Sequence, residues 1–471
     1  MSVNGRQLCL WIHRYTGLIM AGFLIVAGLT GSLLAFHDEL DNWFNQDLAY
    51  IEPIDKAQLP IADLHDQVID AYPQYKFSSM PTSSAPARSA VFMVDRERGK
   101  NSAQPKPTFQ EVYVNPYNGD ILGTRDKEQW AWRNTMWKVF WLHRDLLLGD
   151  IGKLILGIIA LIWTINCFIG FYLTLPRAIK RANSSSIKNS TVQNSTVQNS
   201  TVQNSTVKTS TMKNDKRKKR ASFFKRWLPA WKIRRKSNTF KLNYDLHHAF
   251  GLWLWLMLFV IAWSSVGFNL QPVYQPVMQT LVGLEAREHR SKPPVATEIK
   301  NSDIVGHNLM SHAAQATANN NELSKAYRVH KDNSIAYLSQ QATIAAQNNQ
   351  VKVEQLLGIR WVQEESQWQM RFKTDKDVGN KGGASTITVD AVTGHVEKVT
   401  FGYQAPFATQ ADHWLATLHM GHIGQNGGHL LYQLFLMLIG LAVTVLSATG
   451  VYLWYKGRQR RQSKTYKNKN E

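Results

Sequence analysis

The chain has 471 residues, of which 44% are apolar and 19% charged, with 54 Lys and Arg against 34 Asp and Glu and a formal net charge of +20. Charged residues are absent from residues 15–37, 154–176, 246–284 and 413–455, and each run exceeds the roughly 20 residues that cross a bilayer. That excludes an ordinary soluble enzyme, and the mean hydropathy of −0.28 reflects only the polar segments in between. The two cysteines, Cys9 and Cys167, have no partner at motif spacing, which excludes disulfide frameworks, zinc ribbons and covalent haem attachment.

In chain order, residues 1–37 hold a short tail and a first transmembrane helix. Its 23 uncharged residues exceed a signal-peptide core, and Gly31-Ser32-Leu33-Leu34-Ala35-Phe36 offers no small-x-small cleavage site, so it is read as a retained anchor. Residues 38–150 form a first outer α+β domain, residues 151–176 a second span and residues 177–244 a basic linker. Within the linker Ser190-Thr191-Val192-Gln193-Asn194 recurs as residues 195–199 and 200–204, a polar tract predicted to be disordered. A third span follows at 245–272, a second outer α+β domain at 273–422, a fourth span at 423–455 and a basic tail at 456–471.

Charge sets the orientation. Residues 177–241 carry 18 Lys or Arg against one acid, and the tail carries seven against one. Residues 38–150 hold 12 basic and 17 acidic residues, and residues 285–412 hold 14 of each. Basic loops resist translocation, so both termini and the linker are expected in the cytoplasm and the two α+β segments outside. The run Lys216-Arg217-Lys218-Lys219-Arg220 is therefore read as a topology determinant in touch with anionic lipid. No aromatic-interleaved groove accompanies it, and nucleic acid is not an expected partner.

The sequence reads as a duplication. Trp11-Ile12-His13-Arg14-Tyr15-Thr16-Gly17-Leu18 opens the first span and Asp245-Leu246-His247-His248-Ala249-Phe250-Gly251-Leu252 the third, each with a His four residues before a Gly. Val112-Tyr113-Val114-Asn115-Pro116-Tyr117-Asn118-Gly119 matches Ile387-Thr388-Val389-Asp390-Ala391-Val392-Thr393-Gly394, both predicted hairpins. Leu142-His143 and Leu418-His419 follow those glycines at nearly equal distance, and Gly170-Phe171-Tyr172-Leu173 and Gly450-Val451-Tyr452-Leu453 close the second and fourth spans.

This repeat sorts the 15 histidines. His13 and His247 are mates at the inner face, and His143 and His419 at the outer face. Parallel repeats about a pseudo-twofold axis oppose equivalent positions. Opposed imidazoles without a cysteine or carboxylate cluster suit the two axial positions of a b-type haem, so two haems are expected with these four ligands. His248 and His422 stand close enough to replace their neighbours, and His37 and His429, which lack mates, complete the alternates. An ideal helix sets His13 and His37 about 36 Å apart, too far to share one haem. His65, His289, His307, His312, His330 and His395 read as surface residues. Trp163, Phe168, Phe171, Trp253, Trp255, Phe259 and Trp263 read as packing and interfacial belt.

With these residues in view the sequence resembles the PepSY-associated transmembrane proteins, including inner-membrane ferric-siderophore reductases of Gram-negative bacteria. The likeness rests on His13-Arg14-Tyr15-Thr16-Gly17, the turn at residues 113–119, Leu142-His143-Arg144-Asp145, Leu418-His419-Met420-Gly421 and Gly450-Val451-Tyr452-Leu453-Trp454. It implies four transmembrane helices, two periplasmic PepSY-like domains, two haems and electron transfer to a periplasmic iron chelate.

No Gly-x-Gly-x-x-Gly opens a helix after a strand, and Gly379-Asn380-Lys381-Gly382-Gly383 reads as a hairpin loop. Electrons are then expected from a cytoplasmic reductase or membrane quinol. Three functions compete: a di-haem conduit to a ferric siderophore or other chelate, a haem-free anchor or regulator of a periplasmic protein or peptidase, and a transporter of the iron complex. The last lacks interrupted helices and intramembrane acids. Beside the outer pair, Trp141, Arg144, Gln410 and Trp414 are candidates to hold an anionic or amide-rich chelate.

Overall fold

The computed structural model describes residues 5–95, 107–177, 222–285, 329–379, 382–423 and 427–470. The polar repeats at 190–204, the basic run at 216–220, His289, His307, His312 and part of the Gly379–Gly383 loop lie outside the described residues.

Among the described residues, three helices are long and apolar enough to cross a membrane: α1 (Gly5–Leu34), α6 (Gly149–Thr174) and the segment Gly428–Arg460 of α13 (Gly427–Asn470). The third expected span is not one straight rod. It is broken at Leu254 into α8 (Thr239–Trp253) and α9 (Trp255–Asn269), bent by 71°. With that bent pair counted as one span the bundle has four. Leu254 leaves the helical conformation without any proline nearby, one turn after Gly251, where the missing side chain lowers the cost of a bend. The uncharged run then continues through α10 (Gln271–Val282).

α1 and α13 lie against one another along most of their shared length. A Cβ added at Gly28 would stand 2.6 Å from the Gly440 carbonyl and from Thr444 Oγ1, and Ser32 Oγ donates to the Met437 carbonyl at 3.0 Å. Small residues one turn apart are what let two backbones meet in a medium where apolar burial gives helices no reason to associate. In the other half, α6 and α9 form the equivalent crossing, where Ala160 and Ala262 are both buried.

The first intervening segment runs through α2 (His37–Phe44), α3 (Gln46–Ala49), α4 (Ile61–Ala71), β1 (Ser79–Met80), β2 (Ala90–Met93), β3 (Glu111–Val114), β4 (Ile121–Arg125) and α5 (Thr135–Asp145). After α7 (Phe223–Trp227) and the third span, the second segment contains α11 (Lys331–Asn348), β5 (Val353–Val362), β6 (Gln367–Thr374), β7 (Ser385–Asp390), β8 (Val396–Thr400) and α12 (Phe407–Met420). Both expected hairpins are present, β3–β4 and β7–β8. They turn alike: Gly119 (φ 81°) donates to the Asn115 carbonyl at 2.8 Å, and Gly394 (φ 74°) to that of Asp390 at 2.9 Å. Left-handed backbone at that position is cheap only for glycine.

The two segments do not have separate cores. β1, from the first, pairs with β5, from the second, in a five-stranded antiparallel sheet ordered β1-β5-β6-β7-β8 beside the three-stranded sheet β2-β3-β4. One continuous apolar cluster then joins Leu64, Val68, Phe92 and Val112 to Leu338, Met370, Phe372 and Ile387, all fully buried. His65, expected at the surface, is buried in α4, where Nε2 donates to the Phe77 carbonyl at 2.6 Å. The apolar face of α4 faces the shared core, and His65 follows Leu64 into it.

Candidate functional site

Each of the four histidines sits at a helix position that its own repeat defines. His13 lies in the third turn of α1 and His247 in the third turn of α8. His143 and His419 lie in the last turns of the short helices α5 and α12. α5 is anchored by Arg125, 1% exposed, which forks Asp41 of α2 through two 2.7 Å bonds and donates to Asn134 Oδ1 at the start of α5 at 2.9 Å. It ends in a tight reversal where Leu146 and Leu147 take left-handed φ, an uncommon state for leucine, stabilised by Leu147 N–H donating to Asp145 Oδ1 at 3.1 Å. Gly421 takes the equivalent left-handed turn after α12 at no steric cost.

The repeat mates face each other. The rings of His13 and His247 are 6.2 Å apart at an interplanar angle of 75°, and those of His143 and His419 are 6.2 Å apart at 77°. A bare edge-to-face contact falls in the same distance range, so the hydrogen bonds decide what these pairs are. His13 Nδ1 donates to Asn166 Oδ1 at 2.8 Å. His247 Nδ1 donates to the Leu446 carbonyl at 3.1 Å, with Thr449 Oγ1 at 3.2 Å. His143 Nδ1 meets Thr30 Oγ1 at 3.0 Å, and His419 Nδ1 meets Ser264 Oγ at 2.8 Å. Both hydroxyls already give their proton to a carbonyl one turn back, Thr30 to Val26 at 2.7 Å and Ser264 to Val260 at 2.7 Å. They can therefore only accept, and all four Nδ1 atoms carry the proton. Every Nε2 is left with a free lone pair, the tautomer a metal ligand requires.

Two imidazole nitrogens, each about 2.0 Å from a metal ion, would fit between rings whose centres stand 6.2 Å apart, as they do in both pairs. Room for a flat group is also built in. A Cβ at Gly251, one turn beyond His247, would meet nothing within 4 Å, and one at Gly17, one turn beyond His13, only Asn166 Nδ2 at 3.7 Å. Glycines also floor the rings: His13 Cε1 lies 3.0 Å from the Cβ position of Gly170, His247 Cε1 3.4 Å from that of Gly450, and His143 Cε1 3.1 Å from that of Gly31. Among the described residues no group of three or more His, Cys, Asp or Glu side chains gathers at one point. Among the described residues the donor set is two nitrogens per site, a number that fits the protein ligands of a haem.

The alternates have contacts of their own. His37 is bonded to Asp38 at 2.9 Å and packs edge-on against Trp137, His248 stacks on Tyr244 at 4.2 Å, and His429 Nδ1 donates to the Ile423 carbonyl at 3.2 Å. His422 follows the turn that ends α12, its N–H donating to the Thr417 carbonyl at 3.3 Å. Of the residues expected to hold a chelate, Gln410 donates both bonds to backbone carbonyls and Arg144 pairs with Asp145 at 2.7 Å. Trp414 is exposed, and Trp141 lies 4.5 Å from Lys138 Nζ.

The two pairs are separated along the bundle. Thr30, which holds His143, follows His13 by 17 residues on α1, about 26 Å of helix rise. Met20 and Leu24 stand between, packed with Ile159, Leu258 and Val443 in an apolar cluster.

Thr30, Ser264, Asn166 and Thr449 were not singled out from the sequence. A signal for two of them exists: Thr30 and Ser264 each follow the first histidine of their repeat by 17 residues. Asn166 has no such mark, because its repeat equivalent is Leu446, which serves through a carbonyl.

The family described as the PepSY-associated TM region matches residues 10–201 and 216–457, segments that correspond to the two halves of the duplication. No curated protein matches the chain.

Proposed function

Because the chain belongs to the PepSY-associated transmembrane family, we propose that it is a membrane oxidoreductase that binds two b-type haems and delivers electrons across the membrane to a ferric chelate of the siderophore class, for iron acquisition. The observation that carries this reading is the facing of two histidine pairs whose Nδ1 atoms are all held by acceptors, so that each Nε2 keeps its lone pair. A haem held by each histidine pair would supply reversible one-electron chemistry.

The chain's own residues have separate tasks. His13, His247, His143 and His419 present Nε2, while Asn166, the Leu446 carbonyl, Thr30 and Ser264 fix the tautomer and ring direction. Met20, Leu24 and Leu258 keep water and ions out of the space between the pairs. In this reading the protein lies in a bacterial inner membrane with both termini in the cytoplasm, and the segments with the shared core face the periplasm. The donor is a cytoplasmic reductase or membrane quinol. Iron leaves its chelate because Fe(II) is softer and less charged than Fe(III) and is held less tightly by hard oxygen ligands.

Haem extraction and a reduced-minus-oxidised spectrum of the detergent-purified chain test the first part, and two low-spin haems per chain are expected. None would overturn the reading and favour a haem-free anchor of a periplasmic protein. Dithionite-reduced protein mixed with ferric siderophores and an Fe(II) trap tests the acceptor. Reoxidation with trapped Fe(II) is expected; reoxidation by quinones alone, with no ferric chelate effective, would remove iron from the proposal.

A further inference from the structure

At the end of the bundle where α1 begins and α6 ends, the segment at residues 222–234 packs over the helix ends. Trp227 Nε1 donates to Thr174 Oγ1 at 3.3 Å and its ring meets Phe171 at 5.9 Å. Beneath this segment is a cavity of about 420 Å³ whose lining includes Arg6, Lys225, Lys232, Arg234, Asp245 and Tyr244.

The charges in this lining do not cancel. Asp245 is its only acid, and Arg234 takes both carboxylate oxygens, at 2.6 and 2.8 Å. Arg6 donates to the Leu173 and Leu175 carbonyls at the end of α6, at 2.6 and 3.0 Å, and lies over the Tyr172 ring, but has no acidic side chain as partner among the described residues. Lys225 and Lys232 are exposed and have no acidic partner among the described residues. Three cations therefore remain open to one cavity. Beside them, Phe224 is 73% exposed and Leu228 50%, so the segment shows an apolar side next to a basic one, the pattern of a helix lying in a membrane interface.

We propose that this cavity binds the phosphate of one anionic phospholipid. Three cations without an acidic partner attract a phosphate, and Arg6 can offer it charge-assisted hydrogen bonds. Phe224 and Leu228 select the lipid as the source, since acyl chains cover apolar side chains and a soluble phosphate does not. The mouth lies at the span ends, where headgroups stand. The site is independent of any haem chemistry. The segment that holds the lipid is tied to α8 by the Arg234–Asp245 pair, two positions before His247.

The test uses the full chain in phosphatidylcholine nanodiscs containing a minor share of phosphatidylglycerol, with retained lipid read by native mass spectrometry. One phosphatidylglycerol per chain is expected to be kept in preference to phosphatidylcholine. Lys225→Gln with Lys232→Gln should weaken retention about thirty-fold, from the typical gain per basic residue near an anionic surface. The double Lys→Arg variant should restore it, and matching melting temperatures would show that all three chains fold. Equal retention by wild type and the Gln variant would overturn the proposal, as would displacement of the lipid by inorganic phosphate or ADP, which would assign the cavity to a soluble phosphate ligand. If the Gln variant fails to fold, equal retention of the two lipids by the wild type is the overturning result.

Discussion

At the scale of single residues, the tautomer of each paired histidine depends on an acceptor with no proton to spare. Thr30→Val or Ser264→Ala removes that acceptor and leaves a half-buried Nδ1–H unpaired, at a cost of about 1–3 kcal/mol. Second-layer losses of this kind lower metal affinity about 10–100-fold, so a haem titration should find the outer site weakened and the inner one unchanged. His13→Ala and His247→Ala should each remove the same spectroscopic haem, and the double variant should add little because a ligand pair acts as a unit. Loss of two different haems by those single changes would break the pairing. His65 makes a separate prediction. Burial holds its pKa below the usual value, and its Nδ1 has no partner. The fold therefore prefers the neutral ring. An unfolded chain binds that proton near pH 6.5 and the folded chain only at lower pH, so stability is full above about 6.5 and falls as pH drops toward the folded value. His65→Gln should flatten that part of a pH–stability curve for the full chain in detergent; an unchanged slope would discount His65.

Among the helices, Gly28 and Gly22 make opposite predictions although both lie in α1. Gly28→Ala pushes a methyl group against the backbone of α13, which cannot rotate away, and should destabilise the bundle by about 1–3 kcal/mol. Gly22 has nothing within 4 Å, and Gly22→Ala should be neutral or slightly stabilising. Unfolding in mixed micelles compares the two, and equal effects would refute the tight crossing. The sequence contained Gly28-x-x-x-Ser32 and Gly440-x-x-x-Thr444 as readable small-residue pairs, but which helices they join depends on the bundle. The break at Leu254 was not readable in the same way. An uncharged run from 246 to 284 is longer than one span needs, yet no proline marks where it turns. By contrast, the hairpins at Asn115–Gly119 and Asp390–Gly394 were legible because a left-handed glycine after an Asn or Asp is a local requirement.

For the molecule as a whole, the duplication brought out the facing histidines, but two segments read as separate α+β units share one sheet and one core. Repeats in sequence suggest repeated units, and each segment has the alternating strands of an independent domain. What the pattern cannot express is that β2-β3-β4 alone has too little apolar surface to close a core, since a small sheet needs a second layer to bury its face. That layer comes from the other repeat: Leu64 and Val68 of α4 and Phe92 of β2 share one cluster with Leu338 of α11 and Met370 of β6, while β1 pairs with β5. The ion pair of Lys331 with Asp66 adds a link across the same boundary. The two segments should therefore unfold as a single cooperative unit. Leu64→Ala, in the first segment, should cost about 2–5 kcal/mol and raise amide exchange equally in β2–β4 and in β5–β8. If exchange rose in the first segment alone while β6 and β7 kept wild-type protection, the segments would be two domains in contact and the shared core would carry little of the stability.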